Sequence, residues 1–418
     1  MRGMNYEDLG GKSILVLGKT RAVSAEEFDT LLKLNKIERL GSYKEGVALI
    51  IEGRMMNPYE EAESVRLYEL GIAPIIELSH FEEWLCKSIE PNRLLMSLKL
   101  SRNQERLVNF LKNPYITDEL FFKLLKLYDW QNEGLFDNDA NRDVTASIIG
   151  RFYTDLDRNH NVQYAMSGLA HLIERYGTEA LIAAISELAP IARELKTPSD
   201  RSYAGVLDAM ALHSDTSDGI LSFLIGERAK LLAYREPLGL EKELLALNTE
   251  EINTIISQNT TLSEDGAALL EYTYPQLIAS NTRLSEERFD RLMKKYPHAL
   301  AANATLTPKM QQWLYALGDE TVFESLAANP ITENTILEKL FETGRFRVQL
   351  AMNPSLAPQK LERLFLSQDA DVLLALSANL STPIALLYQL SLDQRFERSV
   401  KTNPAFGKHI QTYNIGWN

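Results

Sequence analysis

Apolar residues recur at regular intervals ahead of asparagines in the C-terminal half of the chain. Successive asparagines are 22, 22, 26, 24, 26 and 24 residues apart, and each has an apolar residue three positions before it. A period of this length suits two short helices and their turns, so the pattern predicts a helical repeat. The asparagines are Asn259, Asn281, Asn303, Asn329, Asn353, Asn379 and Asn403, and the apolar residues are Ile256, Ile278, Leu300, Leu326, Leu350, Leu376 and Val400.

Each repeat is predicted to hold two helices separated by the asparagine. The asparagine is expected to close the first helix, because its side chain bonds nearby backbone and it tolerates the left-handed conformation. A hydroxyl residue three or four positions later is expected to cap the second helix, and a proline after the cap suits the first helical position. The expected caps are Ser263, Ser285, Thr307, Thr332 and Thr382, and the prolines are Pro308 and Pro383.

The second helix of each repeat has apolar residues at helical spacing, such as Leu337 with Leu340. Two short helices cannot bury that face alone, so neighbouring repeats must stack on one another. The predicted fold class is therefore mainly α, with a right-handed α-solenoid of about 24-residue two-helix repeats.

The same pattern occurs once near residue 110. Phe110 precedes Asn113 by three positions, and Thr117 follows as the expected cap. We therefore place the start of the solenoid near residue 101. Residues 131–230 fit the period poorly and are expected to add further helical pairs, after a loop at QNEGLFDNDANRD. The predicted domains are 1–95, 96–235 and 236–418.

The Leu-x-x-Asn-Pro pattern resembles that of the leucine-rich-repeat variant family, which is close to HEAT-like solenoids. The likeness covers residues 236–408. Some members of that family carry an N-terminal iron–sulfur cluster, which needs several cysteines. This chain has one, Cys86, so that chemistry is not implied here.

Residues 11–90 have a different pattern. The segments SILVLG, VALIIEG and APIIEL are short apolar runs typical of buried strands, and polar-faced helices alternate with them. Ser24 is the expected cap of the first helix, and Gly71 is expected to end the second. Strands that alternate with helices predict a small α/β domain with a largely parallel sheet.

This N-terminal order resembles a BRCT domain. The likeness rests on Gly11-Lys12 before the first strand, Leu70-Gly71-Ile72 before the last strand, and Trp84 with Ser88 in the closing helix. Such domains commonly join proteins in DNA repair and replication, so the resemblance implies a protein-binding module.

Some BRCT domains bind phosphopeptides through a Ser or Thr before a glycine at the end of the first strand and a Lys early in the second helix. The matching places hold Leu17 before Gly18, and Glu60 with Glu61. Acidic side chains repel phosphate, which argues against phosphopeptide binding here.

The bulk composition narrows the class of protein. The chain of 418 residues has a formal net charge of -13 and a pI near 5.1, which gives no support for avid nucleic-acid binding. Its start lacks a signal-peptide pattern, and no apolar run is long enough to span a membrane. We expect a soluble cytoplasmic protein with no membrane partner.

No residue cluster predicts catalysis, a cofactor or a metal. Two acidic segments, one starting at Asp137 and one holding Asp155, Asp157 and Asn159, alternate like calcium loops but lack the Gly and Glu of such loops. The six histidines have no metal-ligand spacing, and the sequence around Gly18-Lys19-Thr20 lacks the first glycine of a P-loop.

Two residue groups have more than one interpretation. Cys86 with His80 is a conceivable nucleophile and base, but its place beside Trp84 favours a buried structural thiol. A tyrosine and lysine group could line a nucleic-acid groove, although packing in the core is favoured. That group is Tyr272, Tyr274, Lys294, Lys295 and Tyr296.

These observations favour a non-enzymatic interaction protein whose solenoid surface binds a protein or peptide of unknown identity. Candidate contact residues on the inner helices are Gln349, Met352 and Lys401. The alternative is a DNA-binding or DNA-repair protein, because HEAT-like solenoids include alkylpurine DNA glycosylases. A basic stripe on the inner face would support that alternative.

Overall fold

The computed structural model of the protein describes residues 6–155 and 160–413. The fold is mainly α, with one small parallel sheet near the N terminus. The chain divides into two compact units, Met1–Gly226 and Glu227–Asn418. No helix in the described residues is long and apolar enough to cross a membrane.

The sheet of the first unit has four parallel strands in the order β2-β1-β3-β4. The sequence pattern missed β2, which is three residues long and buries only Leu40. Leu15 of β1 lies opposite Leu40 of β2 and opposite Ile50 of β3. The strands are Ser13–Leu17 (β1), Glu38–Leu40 (β2), Leu49–Glu52 (β3) and Ile75–Glu77 (β4).

Helices cover both faces of this sheet. The side chains of Ile14 and Ile51 pack on one face with Phe28 and Phe81, while Ile50 packs on the other face with Leu67. Alternate side chains of a strand point to opposite faces, so continuous apolar strands need cover on both. The helices are Ala25–Leu34 (α1), Pro58–Glu69 (α2) and Leu78–Lys87 (α3).

Ser24 and Gly71 take the roles predicted for them in this region. The Ser24 hydroxyl accepts a hydrogen bond from the Glu27 backbone N–H and caps α1. Asn57 and Glu60 form a capping box at the start of α2. Gly71, at φ +62, takes the left-handed conformation after the helix ends.

The rest of the first unit is helical, and the last helix of this part of the chain, Asp218–Tyr234, begins in the first unit and ends in the second. Thr117 caps α6 by accepting from the Leu120 N–H. The expected loop after residue 131 is shorter than predicted, because Asn138 caps a helix that begins at Asp139. These helices are Pro91–Ser101 (α4), Gln104–Leu111 (α5), Asp118–Leu125 (α6), Asp139–Phe152 (α7), Met166–Tyr176 (α8), Glu179–Ser186 (α9), Ala189–Lys196 (α10), Ala204–Leu212 (α11) and Asp218–Tyr234 (α12).

The second unit consists of paired short helices that follow α13 (Glu241–Ala246). We call the first helices of the pairs the first-helix row. They are Glu250–Gln258 (α14), Pro275–Asn281 (α16), Pro297–Ala301 (α18), Glu320–Ala328 (α20), Arg347–Met352 (α22), Ala370–Ala378 (α24) and Gln394–Thr402 (α26).

The second helices form the second-helix row. Each first helix packs directly on the next first helix, whereas the second helices pack mainly on the first helices that flank them. The second helices are Glu264–Thr273 (α15), Glu286–Met293 (α17), Pro308–Ala316 (α19), Asn334–Glu342 (α21), Pro358–Phe365 (α23), Ile384–Ser391 (α25) and Pro404–Thr412 (α27).

Three of the expected hydroxyl caps cap their helices, since Ser263, Ser285 and Thr307 each accept a backbone N–H of the first turn. The expectation was wrong for Thr332 and Thr382. Their helices are capped one residue later, at Glu333 and Pro383, without a side-chain bond. The two buried hydroxyls instead donate, at 2.7 Å, to carbonyls of the preceding first helix, those of Leu326 and Leu376.

Candidate functional site

Asparagine side chains connect consecutive helices of the first-helix row. The Asn379 Nδ2 donates to the carbonyls of Ala351, at 2.7 Å, and Asn353, at 3.1 Å, both in the preceding repeat. Its Oδ1 accepts the backbone N–H of Ser381 at 2.8 Å. One amide therefore binds the end of the preceding first helix and the turn of its own repeat.

The same arrangement recurs along the row. Each amide donates to two carbonyls near the preceding asparagine or, for Asn259, the first of the row, to the carbonyls of Ala233 and Arg235 at the end of α12. It does so at Asn259, Asn303, Asn329, Asn353, Asn379 and Asn403.

Two of the eight asparagines singled out in the sequence differ from this arrangement. The Asn281 Nδ2 donates to the Ser257 hydroxyl. The Ser257 carbonyl accepts a hydrogen bond from the Thr282 hydroxyl rather than from the amide. Asn113 lies in the first unit, where its Nδ2 donates to the Cys86 sulfur at 3.3 Å. The amides of the second unit thus form a series that Asn113 does not join.

These asparagines do not adopt the left-handed conformation expected from the sequence. Asn353 has φ -76 and ψ 116, and Asn379 has φ -71 and ψ 126, which are extended values. An extended residue leads the chain out of the helix, so that the side chain reaches the preceding repeat rather than its own helix. The amide therefore acts between repeats.

A second column of residues makes these bonds possible and was missed in the sequence. The residue two positions before the asparagine is small in six of the seven repeats, and Lys401 is the exception. Small side chains let neighbouring helices approach until the amide reaches the carbonyls. The six residues are Ser257, Ala279, Ala301, Ala327, Ala351 and Ser377, and all are buried.

The exposed side of α20, α22 and α24 is apolar at its centre. Residues one and five positions before the asparagine share a face of a helix, because they are four residues apart. Met352 is 58% exposed and Leu374 is 47% exposed. We call this surface the central strip, and it consists of Ala328, Val348, Met352, Leu374 and Ala378. The residue five positions before Asn329 is the exposed Glu324, which borders the strip on α20.

The structure places the three candidate contact residues at two separate positions. Gln349 and Met352 lie together on α22, and the Gln349 Nε2 donates to the Glu324 Oε1 at 2.6 Å across to α20. Lys401 lies two repeats away on α26, where its ammonium is 2.6 Å from Glu397. Of the three, Met352 alone belongs to the central strip.

Polar side chains flank the central strip at both ends. His298 lies on α18, and its Nδ1 is 2.7 Å from the Ser325 hydroxyl and 3.1 Å from the Thr321 carbonyl. Arg398 is exposed on α26 at the other end. No hydrogen bond in the described residues joins a carboxylate to His298, so the pair lacks the orienting group of a nucleophile–base site.

The first unit offers an anion position that its own side chain fills. The Glu60 carboxylate accepts the Asn57 N–H at 2.8 Å and the Gly18 N–H at 3.0 Å. These bonds, the one from Asn57 first, hold the pKa of Glu60 below its ordinary value. The Glu60 carboxylate therefore occupies both of these backbone donors.

The remaining backbone at this edge of the sheet is tightly packed. A Cβ atom on Gly18 would lie 2.7 Å from the Arg54 carbonyl oxygen, and one on Gly53 would lie 2.8 Å from the Leu17 carbonyl oxygen. A short antiparallel bridge joins Lys19 to Arg54. These contacts leave no room for a side chain at either glycine.

Cys86 is a buried thiol packed in the first unit. It is 5% exposed, and burial raises its pKa to about 11. A thiol with so high a pKa carries almost no thiolate near neutral pH and is a poor nucleophile. This environment agrees with the structural role expected from its place beside Trp84.

The acidic segments do not form a calcium site in the described residues. Asp139 and Asn141 lie in the first turn of α7, and the buried Asn141 accepts from the Tyr128 hydroxyl. Asp157 and Asn159 lie outside the described residues. Within residues 6–155 and 160–413, no three His, Cys, Asp or Glu side chains lie close enough to hold a metal ion.

The tyrosine group is not a core cluster as a whole. Tyr272 is 91% exposed on α15, which contradicts the packing expected for it. Tyr274 and Tyr296 are half-buried at helix starts, while Lys294 and Lys295 are exposed. Tyr272 and Lys294 occupy equivalent places in consecutive repeats, because both lie nine residues before an asparagine.

No protein-family model matches the chain, and no curated protein and no solved structure matches it. Any statement of function therefore depends on the residues and contacts described above.

Proposed function

We propose that this protein is a non-enzymatic interaction protein that binds an extended polypeptide along its first-helix row. The amide series supports this proposal most directly. Each amide fixes one first helix against the next, so exposed side chains at equivalent positions lie in line. A surface ordered before binding loses less conformational entropy when a partner docks.

The finer architecture is part of the same proposal. We propose an α-solenoid of about 24-residue repeats similar to leucine-rich-repeat variants, with the first helices on the inner side of a right-handed curve. The close packing of first helices on one another, compared with the second helices, supports their inner position. A cytoplasmic location would suit such a protein.

The N-terminal domain is proposed to be a BRCT-like protein-binding module that does not read phosphopeptides. Its four parallel strands and the cluster of Trp84 with Phe81 and Tyr6 support this likeness. The position of the Glu60 carboxylate supports the lack of phosphopeptide binding.

The central strip is the proposed contact area for the partner. Apolar residues at the centre of an interface, with polar residues around them, are typical of protein-binding surfaces. Met352 and Leu374 have the largest exposed side chains of the strip, so they are expected to contribute most to binding.

A peptide-display selection against the full chain tests the proposal. Selected peptides should bind at least about tenfold more weakly to Met352→Glu and Leu374→Glu, because each change puts a charge into an apolar contact. Leu392→Glu is the matched control, since Leu392 is an 87% exposed leucine in the turn after α25. If no peptide is selected, or if all three variants bind equally well, the central strip is not the binding surface.

Nucleic-acid binding is the second candidate, and one observation favours it. The exposed Tyr272 and Lys294 lie at equivalent places in adjacent repeats, and Lys295 is next to them. Aromatic stacking with nearby cations is typical of single-strand binding. The acidic net charge opposes it, and the first-helix row carries mixed rather than basic side chains.

A further inference from the structure

Helix α22 starts later than the first helices on either side of it, α20 and α24. Helices α20, α24 and α26 each begin nine residues before their closing asparagine, at Glu320, Ala370 and Gln394. Helix α22 begins at Arg347, only six residues before Asn353. Helices α16 and α18 also begin six residues before their asparagines, but each of them starts with a proline, whereas α22 starts with an arginine. Nearly one helical turn is therefore absent from the start of α22.

The N-cap residue of α22 differs from the capping aspartates of the neighbouring repeats. Asp319, Asp369 and Asp393 cap their helices through side-chain bonds to backbone N–H groups. The N-cap of α22 is Phe346, which makes no such bond and has φ +56. A left-handed phenylalanine is unfavourable, and such strain occurs where other contacts or a function retain it.

The chain around Phe346 reads Arg-Phe-Arg, so the strained residue separates two cations. A cavity of 430 Å³ lies at this turn, between the end of α21, the start of α22 and the end of α23. Its charged lining residues are Arg345, Arg347, Arg363 and Glu342.

Two of the three guanidinium groups have N–H donors that no carboxylate of the described residues accepts. The Arg347 Nε donates to the Gly344 carbonyl at 3.0 Å, and within the described residues its terminal nitrogens make no hydrogen bond. The Arg363 guanidinium lies 5.0 Å from the centre of the Phe341 ring and forms no ion pair among those residues. Arg345 pairs with Glu320 at 3.0 Å, with both side chains largely exposed.

The carboxylates around the cavity only partly balance these cations. Glu342 lines it without an ion pair among the described residues, and Glu338 is 3.7 Å from Lys360 rather than from a cavity arginine. A local excess of positive charge therefore remains in a chain whose net charge is -13. Exposed arginines are commonly only solvated, but these line a cavity next to Phe346, whose backbone is left-handed.

We propose that this cavity binds an oxyanion, a carboxylate or a phosphoryl group, on the side chain of a partner polypeptide. Guanidinium groups present paired N–H donors that match such oxygens, and Phe341 supplies an apolar wall beside them. The choice of a polypeptide partner depends on the function proposed above. Glu338, Glu342 and Glu362 interrupt any basic path along the surface, which disfavours a nucleic-acid backbone.

Calorimetric titration of the full chain tests the proposal with four probes: inorganic phosphate, a phosphoserine peptide, its glutamate counterpart and single-stranded DNA. The phosphoserine peptide is expected to bind, and its affinity should fall about tenfold or more in Arg347→Ala and in Arg363→Ala. Arg395→Ala is the matched control, because Arg395 is exposed near the start of α26 and pairs with Asp393. It should bind like the wild type.

Arg347→Lys separates geometry from charge, since it keeps the charge but loses the paired donors, and it should bind with intermediate affinity. Circular dichroism confirms that each variant is folded, and the two alanine variants serve as independent tests. Binding by phosphate, by the glutamate peptide or by both identifies which oxyanion source the cavity accepts.

The proposal is overturned if none of the anionic probes binds, or if the Arg347 and Arg363 variants bind as well as the wild type. It is also overturned if DNA binds through these arginines and the peptides do not. If the cavity binds no anionic probe but Met352→Glu still weakens the binding of selected peptides, only the anion-site proposal fails. If the cavity binds its probes but Met352→Glu has no effect on peptide binding, only the central-strip proposal fails.

Discussion

Asparagine suits its place in the first-helix row because a single short side chain both donates and accepts. In Asn353 the Nδ2 donates to the carbonyls of Ala327 and Asn329, and the Oδ1 accepts the Ser355 N–H. Aspartate has the same shape but lacks the donors, and leucine lacks both functions. The terminal carbonyls of a helix have no partner within it, so the amide satisfies groups that would otherwise be buried and unpaired.

Replacing one amide should therefore destabilise the second unit. Asn379→Ala leaves the Ala351 and Asn353 carbonyls without this partner, and we expect a loss of about 2–4 kcal/mol. Urea denaturation of the full chain, followed by circular dichroism, measures the shift. Asn334→Ala is the control, because Asn334 is exposed on α21, and it should change stability by less than about 0.5 kcal/mol. Equal effects at the two positions would contradict the role given to the amides.

Cys86 gives a second test at the scale of one residue. Because its pKa is raised to about 11, the folded protein should resist alkylation by iodoacetamide at pH 8 and react quickly once unfolded in guanidinium chloride. The unfolded thiol ionises at lower pH than the folded one, so this group also makes the free energy of unfolding decrease as pH rises toward 11. Rapid alkylation of the folded chain at pH 8 would show that the thiol is accessible.

At the scale of elements, the sequence predicted most helices because their signals are local. The apolar column fixed the end of each first helix, and Ser263 and Ser285 fixed the start of a second helix. The strand β2 was missed because a three-residue edge strand with one buried side chain has no periodic pattern.

The bonds between repeats could not be predicted in the same way. Thr332 and Thr382 have the spacing of caps, but their hydroxyls bind the preceding helix, and only the packed structure decides between the two partners. The small residues before each asparagine, such as Ala327 and Ala351, were visible in the sequence, yet their meaning depends on how closely the helices pack. The cavity at α22 depends in the same way on where a helix begins.

A cap variant tests the description of the elements. Thr307→Ala removes the side-chain acceptor of the Met310 N–H at the start of α19 and should cost about 1 kcal/mol. Thr335→Ala changes an exposed threonine on α21 and should stay within about 0.5 kcal/mol. The thermal midpoints of the two variants, measured side by side, make the comparison. An effect of Thr307→Ala no larger than that of Thr335→Ala would contradict the capping role of Thr307.

At the scale of the whole molecule, charge separates the two candidate functions. A net charge of -13 repels nucleic acid at long range, and the row surface combines Glu324 and His298 with Arg398 rather than forming a basic stripe. Met352, a contact residue predicted from sequence, is exposed on α22, and its role in binding stays a prediction. Neither the central strip nor the arginine cavity could be located without the helix packing.

This charge argument predicts that DNA binding is weak and non-specific. In gel shifts at physiological salt, neither duplex nor single-stranded DNA should bind at micromolar protein concentration. Any binding at low salt should disappear as salt is added and should weaken in Lys294→Glu. Binding that persists at physiological salt and depends on Tyr272 would favour the nucleic-acid function instead.

Amide hydrogen exchange of the full chain, with and without a selected peptide, is the most direct test of the proposed binding surface. Binding along the central strip should slow exchange in α20, α22 and α24 and leave the second helices α21 and α23 unchanged. Slower exchange confined to the second-helix row or to the N-terminal sheet, or no change in the first-helix row, would contradict the account.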